Sequence, residues 1–265
     1  MRKGRLALSA LVFLSGCLDY DEVLTLAKDG SGTVRVDMVV DLAFSAKLHA
    51  ITAPEGAEEK GAEDADDPYK MLVTKEEIKK QVQGVDGVTI KQCLVEETAP
   101  QKTHVKLEVE FKSLDALRKT TGFQARELRF EEKDGNVEAT YKIDARFLKE
   151  LGLVVGPDDP APATDQEKKM RKVVDEATKE AGARFTVHFP EKPTKTTGKA
   201  DENDEKAVRL EVPKKDAKAH AAVAKDPLVL QATLPRKDMD VLLKPPAAPE
   251  KKAPAPSPRP KEDDE

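Results

Sequence analysis

Hydrophobic and polar residues alternate with a period of two in several stretches of the chain, which is typical of strands with one buried face. The clearest pair of such stretches is residues 22–26 and residues 33–40. They flank Asp29-Gly30-Ser31-Gly32, whose glycines can adopt the positive φ that a tight hairpin loop needs. This part of the sequence therefore predicts a β-hairpin.

Three more hairpins are predicted by the same alternation. Residues 105–111 alternate strictly between apolar residues and lysine or glutamate, and Asp134-Gly135-Asn136 is a strong tight-turn sequence. The paired stretches are 88–95 with 105–111, 128–130 with 137–143, and 185–189 with 207–212. Residues 228–230 predict one further strand.

Helices are predicted between the hairpins, because apolar residues recur there at helical spacing and capping residues stand at the ends. The longest runs from Asp165 to Ala181, and Gly182 occupies the position of a C-terminal cap. A shorter helix is predicted with Thr74 and Glu77 as its capping box and Gly84 as its stop. Another is predicted with Ser113 as its cap and Gly122 as its stop. Mostly antiparallel hairpins interleaved with short helices, in a repeated ββα order, predict an α+β fold.

Two stretches have too few apolar residues to contribute to a core. Residues 55–67 consist mainly of Glu, Asp, Ala and Gly, which predicts a solvated acidic loop. Residues 245–265 alternate Pro, Ala and Lys and then end in acidic residues, which predicts a disordered, partly extended tail. We divide the chain into a leader at 1–16, an α+β domain at 17–234 and a tail at 235–265.

The first residues have the order of a secretory leader. Three cationic residues among the first five precede an apolar run at 6–14 that is too short to cross a bilayer, which takes roughly 20 residues. Residues 14–17, Leu-Ser-Gly-Cys, then resemble the lipobox of bacterial lipoproteins. The resemblance implies cleavage between Gly16 and Cys17, and a thioether-linked diacylglycerol on Cys17 with acyl chains such as palmitate. The alternative is an ordinary buried cysteine behind a leader without lipid.

Composition excludes some classes of function. The net charge is -5, 36% of the residues are charged and 4% are aromatic, so we expect no binding of nucleic acid. The two cysteines are Cys17 and Cys93. Once Cys17 is acylated, Cys93 has no partner, so no intramolecular disulfide can support the fold. The hydrophobic core must then supply the stability.

The sequence contains no recognisable catalytic or metal-binding pattern. The histidines are His49, His104, His188 and His220. No two of them are spaced i, i+4, and none has a cysteine at metal-ligand spacing. His188 lies between two apolar residues of a predicted strand, so we expect it to face away from the core. Asp29-Gly30-Ser31-Gly32 lacks the further carboxylates of a calcium loop and the lysine of a phosphate loop.

Candidate nucleophiles are equally poorly supported. No serine lies in a Gly-x-Ser-x-Gly sequence, and Cys93 lies in an apolar stretch that predicts a small core residue. Carboxylates are too numerous for a catalytic pair to be singled out. We therefore expect a protein that is not an enzyme and that carries no metal or cofactor.

Two segments together resemble LppM-like bacterial lipoproteins. The first is Cys17 with residues 21–34, and the second is residues 183–190 with Gly198 and the strand at 208–212. The resemblance covers roughly residues 17–212 and implies a secreted, lipid-anchored, non-enzymatic protein. The best-studied member of that family is implicated in binding an envelope glycolipid. A C-terminal membrane helix often follows in the family, where this chain has its tail of Pro, Lys and acidic residues.

We therefore expect a non-catalytic envelope protein, held at a membrane by the lipid on Cys17 and binding a lipid or glycolipid. The alternative is a structural or interaction module that docks a protein partner through the sheet face or the Pro-rich tail. An unrecognised hydrolase is a third hypothesis. Leu18 stands where an Asp would resemble an inner-membrane retention signal, so the outer membrane is expected if the cell has one. Asp19, one place later, argues the other way.

Overall fold

The computed structural model describes residues 16–41, 43–52, 74–153, 164–237 and 239–243. Residues 1–15 of the predicted leader, the predicted acidic loop at 55–67 and residues 244–265 of the predicted tail lie outside the described residues. Within these ranges the chain forms two β-sheets with helices between and beside the strands, which confirms the predicted α+β fold class.

The strands follow one another in the order that the alternating pattern predicts. They are β1 (Gly16–Leu26), β2 (Gly32–Asp41), β3 (Val88–Ala99), β4 (Lys102–Phe111), β5 (Arg126–Lys133), β6 (Asn136–Ile143), β7 (Gly182–His188), β8 (Lys195–Thr196), β9 (Lys199–Ala200), β10 (Ala207–Val212) and β11 (Leu228–Pro235). The four predicted hairpins are present as the antiparallel pairs β1–β2, β3–β4, β5–β6 and β7–β10. The last predicted strand is also present, as β11.

The helices include three that the pattern did not predict. They are α1 (Ala43–Thr52), α2 (Lys75–Lys80), α3 (Leu114–Arg118), α4 (Ala145–Glu150), α5 (Asp165–Glu180) and α6 (Ala217–Lys225). α2 and α3 have the predicted caps, since Thr74 Oγ1 accepts from the Glu77 amide and Ser113 Oγ accepts from the Ala116 amide, each at 3.2 Å. α1, α4 and α6 are the unpredicted ones.

Gly182 corrects the prediction made for the end of α5. It is the first residue of β7 and not a helix cap, because the chain is already extended at Ala181. A Cβ at Gly182 would lie 2.9 Å from Lys214 Cγ. Gly182 is therefore favoured because the turn after β10 packs closely against it. A C-terminal cap would instead need a left-handed backbone.

The seven-stranded sheet has the order β3-β4-β2-β1-β7-β10-β9, and the four-stranded sheet has the order β5-β6-β11-β8. β1 pairs antiparallel with β2 and parallel with β7, so it is an interior strand of a mixed sheet. Side chains from both sheets form the main core, which includes Leu24 and Phe185 from the larger sheet and Tyr141 and Leu230 from the smaller.

The packed domain extends beyond the boundary predicted at residue 234. Met239 is fully buried and Leu242 is 4% exposed, and both belong to the main core. The start of the predicted tail at 235 is therefore wrong, because residues 239–243 are Met-Asp-Val-Leu-Leu and supply two buried side chains to the main core. In the described part of the chain, no helix is both long enough and apolar enough to cross a membrane.

Candidate functional site

Cys17 lies inside the larger sheet and not in a loop ahead of it. It is the second residue of β1 and stands opposite Val40 of β2, while Gly16 stands opposite Asp41. The register of the pairing shifts between Cys17 and Asp19. The residue that the sequence predicts as the lipidation site is thus part of the ladder, and no linker separates it from the fold.

Several strand ends meet at the same edge as Cys17. Asp41 ends β2 and lies opposite Lys102, the first residue of β4. Gly182 starts β7 and lies opposite Asp19. We call this edge, with Gly16, Cys17, Asp41, Lys102 and Gly182, the Cys17 end of the sheet.

Two helices also meet the Cys17 end. Asp41 Oδ1 accepts a hydrogen bond of 2.9 Å from the Ala43 amide, at the start of α1. α5 ends at Glu180, two positions before Gly182. Near the other ends of the two helices, Gln166 Nε2 donates to the Ile51 carbonyl at 2.8 Å. α1 and α5 therefore lie side by side in opposite directions, with the start of α1 and the end of α5 at the Cys17 end.

A groove of about 410 Å³ lies between α1 and α5, within the size range of about 300–1,000 Å³ that small-molecule sites occupy. Its floor belongs to a small apolar cluster in which Phe44 and Val174 are buried and Met170, Val173 and Ala177 are partly buried. This cluster is separate from the main core. We call the cavity the α1–α5 groove.

The charged side chains that line the α1–α5 groove include more carboxylates than lysines. They are Lys47 and Lys179, and Asp41, Glu176 and Glu180. Outside the lining, Lys215 Nζ lies 3.4 Å from Glu180 Oε2. The described lining residues include no serine, cysteine or histidine. The groove can thus take an apolar group, and its described lining presents neither a nucleophile nor a net positive charge.

A second polar group lies at the centre of the molecule. Glu22 is 1% exposed, and its Oε2 lies 2.8 Å from Arg126 Nη1 at the start of β5. Tyr20 OH donates to Glu22 Oε2 at 2.6 Å, and Tyr141 OH donates to Glu22 Oε1 at 2.7 Å. Arg126 Nη2 in turn donates to Tyr20 OH at 2.9 Å. These four residues form a closed hydrogen-bonded group, which we call the Glu22 cluster.

Burial and charge act together on the Glu22 cluster. Burial alone lowers the pKa of the Arg126 guanidinium, but the Glu22 carboxylate together with Tyr20 and Tyr141 outweighs it, so the pKa lies above its ordinary value. Burial, followed by the negative charge of Glu22, holds the pKa of the Tyr141 phenol well above its ordinary value. The guanidinium carbon of Arg126 also lies 4.2 Å from the centre of the Phe147 ring. Arg126 therefore stays cationic and Tyr141 stays a donor.

Sequence reasoning did not find the Glu22 cluster, although β1 contains a signal for it. Tyr20, Leu24 and Leu26 are buried and share one face of β1, and Glu22 lies on that face between them. A carboxylate at an inward position needs a partner, since an unpaired buried charge is strongly unfavourable. Its partner Arg126 is far away in sequence, so no local pattern could have identified it.

Cys93 is buried, as predicted for a small core residue. It is 9% exposed and packs with Ile78 and Val105, and its thiol is free. Burial raises the pKa of the Cys93 thiol, although Lys79 and Lys75 partly offset this effect. Cys93 borders a second cavity of about 490 Å³ beside α2. A thiol that is buried and protonated is a poor nucleophile.

The histidines occupy unrelated places. His104 Nε2 lies 2.6 Å from Asp37 Oδ1, and His188 Nδ1 lies 2.8 Å from Asp204 Oδ2. His220 is 8% exposed and its two ring nitrogens lie 2.8 Å from the Leu153 carbonyl and 3.1 Å from the Pro213 carbonyl. His49 lies in α1. In the described ranges, no group of three or more His, Cys, Asp or Glu side chains could hold a metal ion.

No protein-family model and no curated protein matches the chain. Among solved structures, it is similar to the folded domain of LppM from Mycobacterium tuberculosis, determined by NMR. The two are 13% identical, the similarity covers 84% of this chain and 92% of that chain, and the TM-score is 0.36. Because this TM-score is low, the LppM-like resemblance stays a prediction.

Proposed function

We propose that the chain is a lipid-anchored, non-catalytic protein of the cell envelope that binds a lipid next to the membrane. The observation that carries this proposal is the position of Cys17. The lipobox cysteine is a residue of the larger sheet, and Asp41, opposite its neighbour Gly16, lines the α1–α5 groove. A lipid on Cys17 would hold both the sheet and the groove directly at the membrane surface.

The anchor is sufficient to hold the protein at a membrane. One acyl chain gives only marginal, reversible binding, whereas two or more chains hold a protein stably. A diacylglycerol on Cys17 supplies two chains. Because Cys17 belongs to β1, the anchored domain has no flexible spacer through which it could move away from the bilayer.

The non-catalytic part of the proposal is supported by how the polar groups are placed. The two charges of the Glu22 cluster are paired with each other, although Arg126 Nε is buried without a hydrogen-bond partner, and Glu22 at 1% exposure is closed to a substrate. The described residues that line the α1–α5 groove are apolar or charged, and none of them is a candidate nucleophile beside a base. A lipid chain needs an apolar cavity and none of these chemical groups.

The anchor is tested on the full chain, expressed in a bacterium that processes lipoproteins. Mass spectrometry of the mature N-terminus should find Cys17 as the first residue, carrying diacylglycerol. Cys17→Ala should remove both the lipid and the association with membranes. The matched control Cys93→Ala should retain both, and separation of inner from outer membranes tests the expected destination. An unmodified Cys17 in a membrane-free fraction would refute the anchor.

Lipid binding is tested separately on residues 18–244, which lack the attachment site. Native mass spectrometry should find lipids that copurify or are taken up when added. Ala177→Trp, which fills the α1–α5 groove, should reduce their binding several-fold. Ala222→Trp is the control, because Ala222 is exposed on α6 and does not line the groove. A consistent absence of bound lipid contradicts this part of the proposal.

A second candidate function, docking of a protein partner, is favoured by the far end of the sheet. Val241 is 45% exposed, and among the described residues it is the large hydrophobic side chain that stands out as exposed. A Cβ at Gly30 would lie 3.5 Å from Val241 Cγ1, so residues 239–243 pack beside the β1–β2 turn. This turn is a strand's length, roughly 30 Å, from Cys17. Pull-downs with and without residues 245–265 test whether a partner binds there.

A further inference from the structure

We propose that the α1–α5 groove holds one acyl chain of the lipid attached to Cys17 of the same molecule. This inference rests on the proposed function, because it requires the lipid anchor. It goes further by naming the occupant of the groove. The domain would then cover one of the chains that tether it.

The first support is the position of the attachment point. Val40 lies opposite Cys17, Asp41 follows it and lines the groove, and Ala43 begins the helix that forms one wall. The backbone of Cys17 thus pairs with the strand that continues into one wall of the groove. Attachment over so short a path gives an effective concentration on the order of millimolar or higher, so a free lipid in dilute solution competes poorly.

The second support is the charge of the rim. A phospholipid headgroup carries a phosphate, and sites that bind phosphate present surplus positive charge or converging amides. Two lysines line this rim against three carboxylates, so the groove has no such surplus. The diacylglycerol of a lipobox cysteine is uncharged. A rim without surplus positive charge therefore fits the lipid of the anchor better than it fits a membrane phospholipid.

The third support is the floor of the groove. Phe44 and Val174 form a cluster apart from the main core, so covering them does not depend on the packing of the two sheets. Met170, Val173 and Ala177 along α5 extend this apolar surface and are only partly buried. An acyl chain lying along these side chains would remove their remaining apolar surface from water.

Occupancy can be measured by fluorescence, because the natural chain contains no tryptophan. The protein is prepared from residue 17 onward with Cys93→Ser, and a brominated hexadecyl chain is attached to the Cys17 thiol through a maleimide. Phe44→Trp places the single fluorophore in the groove. We expect attachment of the chain to quench this emission strongly, to the same extent at every dilution. Ala27→Trp, exposed at the far turn, is the control and should not be quenched.

A second measurement does not depend on a tryptophan at position 44. Ala43→Trp and Ala177→Trp each fill the groove from a different wall. Because the tryptophan would displace the hexadecyl chain from the groove, the chain would be available to a membrane. The conjugate of either variant should therefore bind phosphatidylcholine vesicles several-fold more strongly than the conjugate that has neither substitution. Ala222→Trp should not change vesicle binding.

Unquenched emission from the folded Phe44→Trp conjugate would overturn the inference, as would vesicle binding that is equal for filled and unfilled grooves. The conjugate is made chemically, so neither result depends on whether the cell attaches a lipid. Mass spectrometry of the natural N-terminus decides that question independently. Failure of the inference and failure of the proposed function are therefore distinguishable.

Discussion

Glu22 on β1 and Arg126 on β5 form an ion pair of 2.8 Å that joins the two sheets through the core. Their side chains are 1% and 7% exposed. Withdrawing two charges from water is costly, and here the hydroxyls of Tyr20 and Tyr141 and the ring of Phe147 compensate. The sheets are therefore restricted to an arrangement in which the two buried charges are paired with each other.

Breaking this pair from one side should be strongly destabilising. Glu22→Gln leaves the Arg126 guanidinium buried without a counter-charge, and we expect the free energy of unfolding to fall by about 3–5 kcal/mol. Urea denaturation measures the change. Glu108→Gln, which removes a surface partner 3.2 Å from Arg35, is the control and should cost about 1 kcal/mol or less.

The double variant Glu22→Leu with Arg126→Met provides a further check. It removes both charges together, so it should lose much less stability than the sum of the two single variants. Additive losses would show that the two side chains act independently, contrary to the expectation from the ion pair.

Tyr141 should make the stability depend on alkaline pH. Burial, and then Glu22, holds the pKa of the folded phenol well above its ordinary value of 10.0. The unfolded phenol ionises near that ordinary value, so the contribution is fully present below it and is lost as the pH rises towards the folded pKa. Urea denaturation from about pH 8 to about pH 11 should show this loss.

Tyr141→Phe separates the two effects of this residue. It should flatten the alkaline decline, because no phenol remains to ionise at this position. At neutral pH it should cost about 1.5–3 kcal/mol, since Glu22 loses a donor to its charged oxygen. An unchanged alkaline slope would contradict the assignment to Tyr141.

The capping box of α5 should contribute measurably to stability. Thr164 Oγ1 accepts from the Glu167 amide at 3.1 Å, and Glu167 Oε2 accepts from the Thr164 amide at 2.8 Å. Thr164→Ala should lower the free energy of unfolding by about 1 kcal/mol. Thr164→Ser keeps the oxygen and should stay near the natural value. If both variants behave alike, the cap is not the source of the effect.

Cys93 should react slowly while the protein is folded. Burial raises the pKa of its thiol, which lowers the fraction of reactive thiolate. In the Cys17→Ser background, modification by an aromatic disulfide near neutral pH should be at least several-fold slower than in urea. A similar rate in the folded and unfolded protein would show that the thiol is accessible and reactive.

The sequence predicts the local part of the fold well, because hairpins and caps are specified by neighbouring residues. Asp134 and Gly135 illustrate this, since the predicted tight turn has φ values of 52° and 74° at these two positions. α1 was not predicted because a ten-residue helix of sequence AFSAKLHAIT has little amphipathic pattern. Nor could the parallel pairing of β1 with β7 be predicted, because it joins segments that are distant along the chain.

The candidate site, like the fold, could be predicted from the sequence only where neighbouring residues specify it. Cys17 could be predicted as a lipidation site because a lipobox is a continuous sequence signal, and the lipidation stays a prediction. The α1–α5 groove could not be predicted, since its walls come from two helices separated by more than a hundred residues, and one of those helices lacked a signal. Residues 239–243 are Met-Asp-Val-Leu-Leu, and they were assigned to the tail because so short an apolar run, between charged residues and a Pro- and Lys-rich stretch, shows no helical or strand period.

The place of β1 between β2 and β7 has a mechanical consequence. A force applied at Cys17 along the direction of β1 would load the hydrogen bonds to both neighbouring strands in shear. Bonds loaded in shear must yield together, whereas an edge strand pulled sideways opens one bond at a time. A molecule held by this residue would therefore pass tension from its attachment point into the interior of the sheet and not into a peripheral strand.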